Sequence, residues 1–368
     1  MRKHTKTIVA ILLVTIMAFG LVACSADPPT PTPAPASDNN ATAPAATPEP
    51  APDTPANTSP ITVVWYPNES ANDFEPAREE YGRLITEATG REVIHRITTD
   101  YVIAVEALAS GAADIGARWG ATGMIEAQQR NPEVMPLIVN SGASGTLDDA
   151  VYFGWLVVNL GEEDPFRSGD SFSIENIQGK TMSFVSNSST SGFVVPAGGI
   201  IDFFSQTAEW SEIDEDDLLG LSRNPFFEEV LFGGSHQGSL FNLIDGRADI
   251  AAICDTCVDS YVELVSGDRN TVGAVYRIQQ NAAAPFENSG GHEFILIGIA
   301  PVLNGPDVFN PQNLSAEEIE AIRAILTSDE AAANPLFFGE EGVTSLIPRS
   351  GDMRFVVADN SWWDPLRS

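Results

Sequence analysis

Thr181-Met182-Ser183-Phe184-Val185-Ser186-Asn187-Ser188-Ser189-Thr190-Ser191-Gly192-Phe193 is the stretch that decides the architecture of this chain. Its first six residues predict a strand, and Asn187 through Phe193 predict a hydroxyl-rich turn opening a helix. The first backbone N–H groups of a helix have no intrahelical acceptor, and the macrodipole adds partial positive charge there, so such a turn can hold an oxyanion without a cationic side chain. The consecutive hydroxyls from Ser188 to Ser191 add donors that rotate to suit what they meet. The simpler reading, that these residues are plain N-caps, stays open on this stretch alone.

Outward from the turn the chain alternates between strand and helix. Ile61 to Tyr66 predicts a buried strand, and Phe74, Ala77, Tyr81, Leu84, Ile85 and Ala88 repeat at helical spacing until Gly90. A strand near Glu92 to Ile97 leads to a helix from Asp100-Tyr101 through Ser110, with Gly111 as its stop, and then a strand at Ala113 to Ala117. This is the βαβ signature of an α/β protein. After the Thr181 strand and the helix from Ser189 to Phe204 come a strand at Val230 to Phe232, a helix from Ser235 to Asp245, a strand at Ala248 to Ile253, a helix from Asp255 to Val265 and a strand at Val275 to Ile278. The apolar runs Val151 to Asn159 and Phe294 to Ile299 are expected to carry the chain out of a first lobe and back, with hinges near Val158 to Leu160 and Phe294 to Ile297. The acidic segment Trp210 to Asp217 reads as surface decoration, and Ser315 with Glu318 forms a capping-box pattern.

Arg2, Lys3 and Lys6 precede an apolar run from Ile8 to Val22 that ends in Leu21-Val22-Ala23-Cys24, the pattern of a lipoprotein signal with Cys24 as the lipidated residue. Ser25 to about Pro60 is rich in Pro, Ala and Thr, too polar to form a core, and is expected to be a tether. The expected organisation is a signal peptide over 1–23, lipidated cysteine and tether over 24–60, first lobe over 61–160, second lobe over 161–292 and a return to the first lobe over 293–368. The chain of 368 residues carries 19 basic and 51 acidic residues. Cleavage before Cys24 would leave 16 basic residues against 51 acidic, a net charge of −35, which disfavours nucleic acid as a partner. Lys180 would then be the sole lysine, so an anion site must use hydroxyls, backbone amides, His or Arg. Cys254 and Cys257 are spaced for a local disulfide or two thiols at a helix start. A zinc set drawn from His236, His292, Cys254 and Cys257 has ligand-like spacing only in the cysteine pair, so no metal and no cofactor is expected.

Four motifs in order carry a resemblance: Thr99-Asp100-Tyr101 with Glu106-Ala107-Leu108 and Gly111 through Ile115; Tyr152-Phe153; Asn187 through Phe193 with Val195-Pro196; and Gly233-Gly234-Ser235-His236. Over roughly Ile61 to Ile347 the chain resembles the phosphonate and phosphite binding proteins of ABC importers. The resemblance implies a type II-like two-lobed periplasmic-binding fold, each lobe a mainly parallel sheet flanked by helices, with the ligand cleft between them. It implies that Tyr101, Tyr152, Ser189, Thr190, Ser191 and His236 hold phosphonate oxygens, that an ABC permease is the partner, and that the protein works as an extracytoplasmic monomer tethered to the membrane by its lipid.

Family members that bind aminoalkyl phosphonates place acidic residues around the amine. Here the corresponding positions are Thr256, with Asp255 adjacent, and His292, with Glu293 adjacent, so Asp255 and Glu293 are the candidates for that role. Two other classes compete with the importer reading: a ligand-sensing lipoprotein and an enzyme on the same fold. The sequence contains no nucleophile paired with a base and no phosphate loop with its lysine, so no enzymatic activity is expected.

Overall fold

A computed structural model describes residues 57–69, 74–340 and 344–367. The expected signal peptide, Cys24 and the tether as far as residue 56 lie outside the described residues. Among the described residues no helix is long and apolar enough to cross a membrane.

The first lobe is built from β1 (Ile61–Trp65), α1 (Glu75–Thr89), β2 (Val93–Ile97), α2 (Tyr101–Ala109), β3 (Ile115–Ala117), α3 (Ala121–Arg130) and β4 (Met135–Asn140). β1 pairs in parallel with β2 and with β3, as the strand and helix alternation requires. Tyr81, Leu84 and Ile85 bury the inner face of α1, and Gly90, at φ 70°, ends the helix in the left-handed conformation that glycine adopts without strain.

Both runs expected to cross between lobes belong to the second sheet. β5 (Val151–Asn159), short β6 (Arg167–Ser168) and β7 (Ser171–Phe172), β8 (Thr181–Phe184), α4 (Val195–Phe204), α5 (Glu215–Leu218), β9 (Glu229–Phe232), α6 (His236–Ile244), β10 (Ile250–Cys254), α7 (Asp255–Val258), β11 (Val262–Ser266), β12 (Val275–Ile278) and β13 (Glu293–Leu303) follow in order. All but β6 and β7 form a seven-stranded sheet ordered β11-β12-β13-β5-β10-β8-β9. β5 and β13 pair along their whole length, from Val151 with Leu303 to Asn159 with Phe294. Val158, Asn159 and Phe294 to Ile297, expected as hinge positions, are thus paired strand residues of this sheet, with Leu160 just beyond β5. Long antiparallel pairing binds both strands to one body, and it ends beside Ala150 and Asn304, whose N–H donates to the Ala150 carbonyl at 3.0 Å.

β14 (Pro306–Phe309), α8 (Ala316–Leu326), α9 (Asp329–Ala333), the two-residue strands β15 (Phe338–Gly339) and β16 (Ile347–Pro348), and β17 (Phe355–Val356) return to the first lobe. Its six-stranded sheet runs β17-β4-β14-β3-β1-β2. The parallel pairs of each lobe belong to its βαβ units, and antiparallel pairs arise where the chain returns, so both sheets are mixed within a two-lobed α/β fold.

Two local expectations are corrected. The helix expected from Asp255 to Val265 stops at Val258, and Val262–Ser266 becomes an edge strand paired antiparallel with β12, with Val265 at a bulge between Leu264 and Ser266. Trp210 and Ile213 are buried, with the Trp210 ring 5.1 Å from that of Phe226, so the acidic segment is part of the second core and presents only its carboxylates outward.

Candidate functional site

The cleft sits where strands give way to helices in both lobes, the position at which α/β sheets present backbone N–H groups to ligands. In the second lobe β8 runs into the serine-rich turn, and Ser189 starts a single wide helical turn over Thr190–Val194 that continues as α4. Ser189 Oγ accepts the Gly192 N–H at 3.1 Å, so this hydroxyl is an N-cap as well as a wall of the cleft. The N–H groups of Thr190 and Ser191 meet no acceptor among the described residues, which leaves two donors at the positive end of a helix.

Gly233 and Gly234 turn the chain into α6, capped by Ser235, and bring His236 to the same cavity. Its Nδ1 accepts the Cys254 N–H at 3.0 Å. Burial lowers the imidazole to about 3, so the ring is neutral near neutral pH, and because Nδ1 accepts, the proton sits on Nε2. His236 is therefore a neutral donor, and the charged imidazole that an anion site would invite is absent.

Tyr101, the first residue of α2, takes the Asn68 Nδ2–H on its hydroxyl at 2.6 Å and stacks on Tyr66 at 4.0 Å, which in turn stacks on Trp119 at 5.0 Å. This stack is the aromatic wall of the first lobe. Tyr152 lies on β5 at the cavity; burial pushes its phenol up to about 12, against the opposing hydrogen bond of Ser191 and charge of Arg118, so it stays a neutral hydroxyl. Tyr101, Tyr152, Ser189, Thr190, Ser191 and His236 are thus brought together around one cavity of about 70 Å³.

Asp255 and Glu293 are not. Asp255 lies behind the wall, where it accepts the Phe153 N–H at 2.9 Å and Asn270 Nδ2–H at 3.1 Å, and burial raises its carboxyl. Glu293 points along β13 to Arg277, whose Nε and Nη2 donate to it at 2.9 and 2.5 Å. Both carboxylates are engaged by strand and loop partners, Glu293 in a cross-strand ion pair and Asp255 beneath β5, and neither lines the cavity. Thr256 and Cys257 line the cleft in their place. Cys254 and Cys257 form a disulfide. His236 and both sulfurs lie within 4.8 Å of one another, whereas His292 stands apart, bonded to Asn159 Oδ1 at 2.9 Å.

The residues that sequence reasoning missed come from the first lobe. Asn68 donates to Tyr101 and accepts the His236 N–H at 3.2 Å, and Arg118, Trp119 and Asn140 also line the cavity. Arg118 and Trp119 stand between β3 and α3, so the strand-to-helix junction was the signal available for them.

Two lobes of mixed sheet, closing on a cleft of hydroxyls and helix starts, define a two-lobed solute-binding protein. The chain belongs to the family described as "ABC transporter, phosphonate, periplasmic substrate-binding protein", whose pattern matches residues 63–363. That family supplies the substrate-binding component of transporters and is not a family of enzymes. The chain is 25% identical over 199 residues to the phosphate-import protein PhnD of Mycolicibacterium smegmatis, a match covering 54% of this chain and 56% of that protein. It shares its fold with a binding protein component of an ABC phosphonate transporter from Pseudomonas aeruginosa, at a TM-score of 0.58 and 18% identity over 84% of this chain and 85% of that one. PhnD1 from Prochlorococcus marinus, solved with methylphosphonate, matches at a TM-score of 0.58 and 15% identity over 84% and 97%.

Proposed function

We propose that this protein captures a small phosphorus oxyanion, such as phosphonate, phosphite or phosphate, between its lobes and delivers it to an ABC permease, and that lipidation of Cys24 tethers it outside the membrane. The observation that carries the reading is the pair of unpaired N–H groups at Thr190 and Ser191, at a helix start in the cleft, with His236, Tyr101 and Tyr152 around the same cavity. Neutral donors held on rigid elements bind an anion without having to shed a counter-charge first. A thermal-shift titration of the chain from residue 24 onward tests it. A ligand that binds only the folded state stabilises it by about 2.7 kcal/mol at a hundred times its Kd. Phosphate, phosphite or methylphosphonate is expected to raise Tm, and no shift with any of these or with 2-aminoethylphosphonate would end the oxyanion reading. Cys24→Ala is expected to release the protein from the membrane fraction, and retention there would overturn the lipid anchor.

A further inference from the structure

We propose that Arg118 sets the sign of charge that the cleft accepts: the ligand is anionic over its whole polar surface, and an ammonium substituent is rejected. The inference rests on the oxyanion reading above and adds the substrate class.

Arg118 is held where it is by unusual means. Its φ is 60°, a left-handed conformation that non-glycine residues seldom adopt, and its N–H donates at 2.7 Å to Oδ1 of buried Asp307. The other Asp307 oxygen accepts the Tyr81 hydroxyl at 2.7 Å. A carboxylate in the core thus fixes the backbone of Arg118; its hydrogen bonds come from Tyr81 and from that N–H, and the guanidinium acts on it only through space. The side chain lines the cavity, where Nη1 reaches Asn140 Oδ1 at 3.5 Å and the buried Nε has no acceptor. Beside it the indole N–H of Trp119, also buried at the cavity, has no acceptor either.

An unpaired arginine is against the odds in a chain with 51 acidic residues and 19 basic ones. No carboxylate among the described residues forms an ion pair with Arg118, and no Asp or Glu is among the described residues lining the cavity. Other carboxylates of the two lobes are engaged away from the cavity: Asp307 by Tyr81 and the Arg118 N–H, Asp255 by Phe153 and Asn270, Glu126 by Ser188, and Glu293 by Arg277. A half-buried guanidinium with a free donor, on which the Asp307 carboxylate acts through space without pairing, retains a donor that something entering the cleft can engage. Arg118 also acts electrostatically on Tyr152, against the opposite effect of Asp255 behind the wall, so its charge reaches the side of the cavity where Ser191 stands. An ammonium group in this space would meet a like charge with no carboxylate on the cavity wall among the described residues to pair with it.

The test is calorimetric titration of the wild type, Arg118→Lys and Arg118→Asn with methylphosphonate, phosphonoacetate and 2-aminoethylphosphonate. Asparagine tolerates the left-handed backbone and so separates loss of charge from loss of fold. The wild type is expected to bind methylphosphonate or phosphonoacetate at least tenfold more tightly than the aminoethyl compound. Arg118→Asn is expected to weaken the two anions at least tenfold and to close the gap to the aminoethyl compound, whereas Arg118→Lys keeps the gap. The ratio of dissociation constants is the readout, because a purely structural defect would weaken all three alike. A wild type that binds the aminoethyl compound as tightly as methylphosphonate, or an Arg118→Asn protein with affinities and ratio unchanged, overturns this inference and leaves the oxyanion reading intact. Failure of every phosphorus compound to bind the wild type overturns both.

Discussion

His236 shows how environment decides the chemistry of a residue that the sequence only places. A histidine in an anion site suggests a cation, yet burial and the Cys254 N–H on Nδ1 keep it neutral. Its folded value, about 3, lies below the unfolded 6.5, so between these the unfolded chain binds a proton that the native one does not. The stability it contributes is complete above pH 6.5 and is lost as pH falls toward 3. His95, lowered to about 4 by burial, acts in the same direction, whereas Asp255 and Asp307, raised by burial, act in the opposite one. The contribution of His236 is therefore read as a difference. Between pH 6 and 4 the wild type should lose stability more steeply than His236→Gln, by up to about 1.4 kcal/mol per pH unit, in urea unfolding. Equal slopes would show that the ring is charged in the folded state. Ser189 has a double role, since its hydroxyl caps the turn that presents the free amides. Ser189→Ala is expected to cost about 1 kcal/mol of stability even without ligand, measured by the same unfolding.

At the scale of elements, the two ligand-facing turns work because their glycines admit close backbone approach. A Cβ at Gly233 would lie 2.1 Å from the Ser239 backbone nitrogen, where nothing flexible can give way. Gly233→Ala should therefore displace the start of α6, costing about 2 kcal/mol or more and weakening ligand binding with it. A variant with unchanged urea midpoint would show that the turn tolerates the shift. Strand-turn-helix units such as β8 with its serine turn were legible because local periodicity and capping chemistry act within a few residues. The edge strand Val262–Ser266 was not, since its conformation is set by pairing with Val275 to Ile278, a contact that no local pattern announces. The acidic insert misled for a related reason: its carboxylates were legible, but Trp210 and Ile213 found their place only against Phe226.

For the whole molecule the telling contact is between lobes. Thr190 Oγ1 accepts the Thr122 N–H at 3.0 Å and donates to Thr122 Oγ1 at 3.0 Å, while Ser188 Oγ donates to Glu126 Oε2 at 2.9 Å. The serine-rich turn of one lobe thus meets the start of α3 in the other, and Gly120 is the residue that lets them touch. A Cβ there would lie 2.6 Å from Thr190 Oγ1, yet its backbone, at φ −79°, accepts alanine without strain. Gly120→Ala is expected to leave each lobe folded and to hold the cleft open. Ligand affinity should fall about tenfold, the equivalent of 1.4 kcal/mol, with little change in Tm. Small-angle scattering should show a larger radius of gyration with ligand than the liganded wild type has, and equal radii would show that Thr190 yields.

The sequence by itself determined the α/β alternation and the serine-rich turn at a helix start, because periodicity, capping and helix-end chemistry are local properties of a short stretch, and the family resemblance singled out Tyr101, Tyr152, Ser189 to Ser191 and His236, which the fold brings to one cavity. Tertiary structure alone decided that both crossing strands join one sheet, that Asp255 and Glu293 are engaged by wall residues, that His236 is neutral, and that Arg118 stands at the cavity without an ion-pair partner among the described residues. Each of these depends on burial and on partners far away in the chain, such as Asp307 beneath Arg118, and desolvation and pairing are quantities that exist only once the chain has folded.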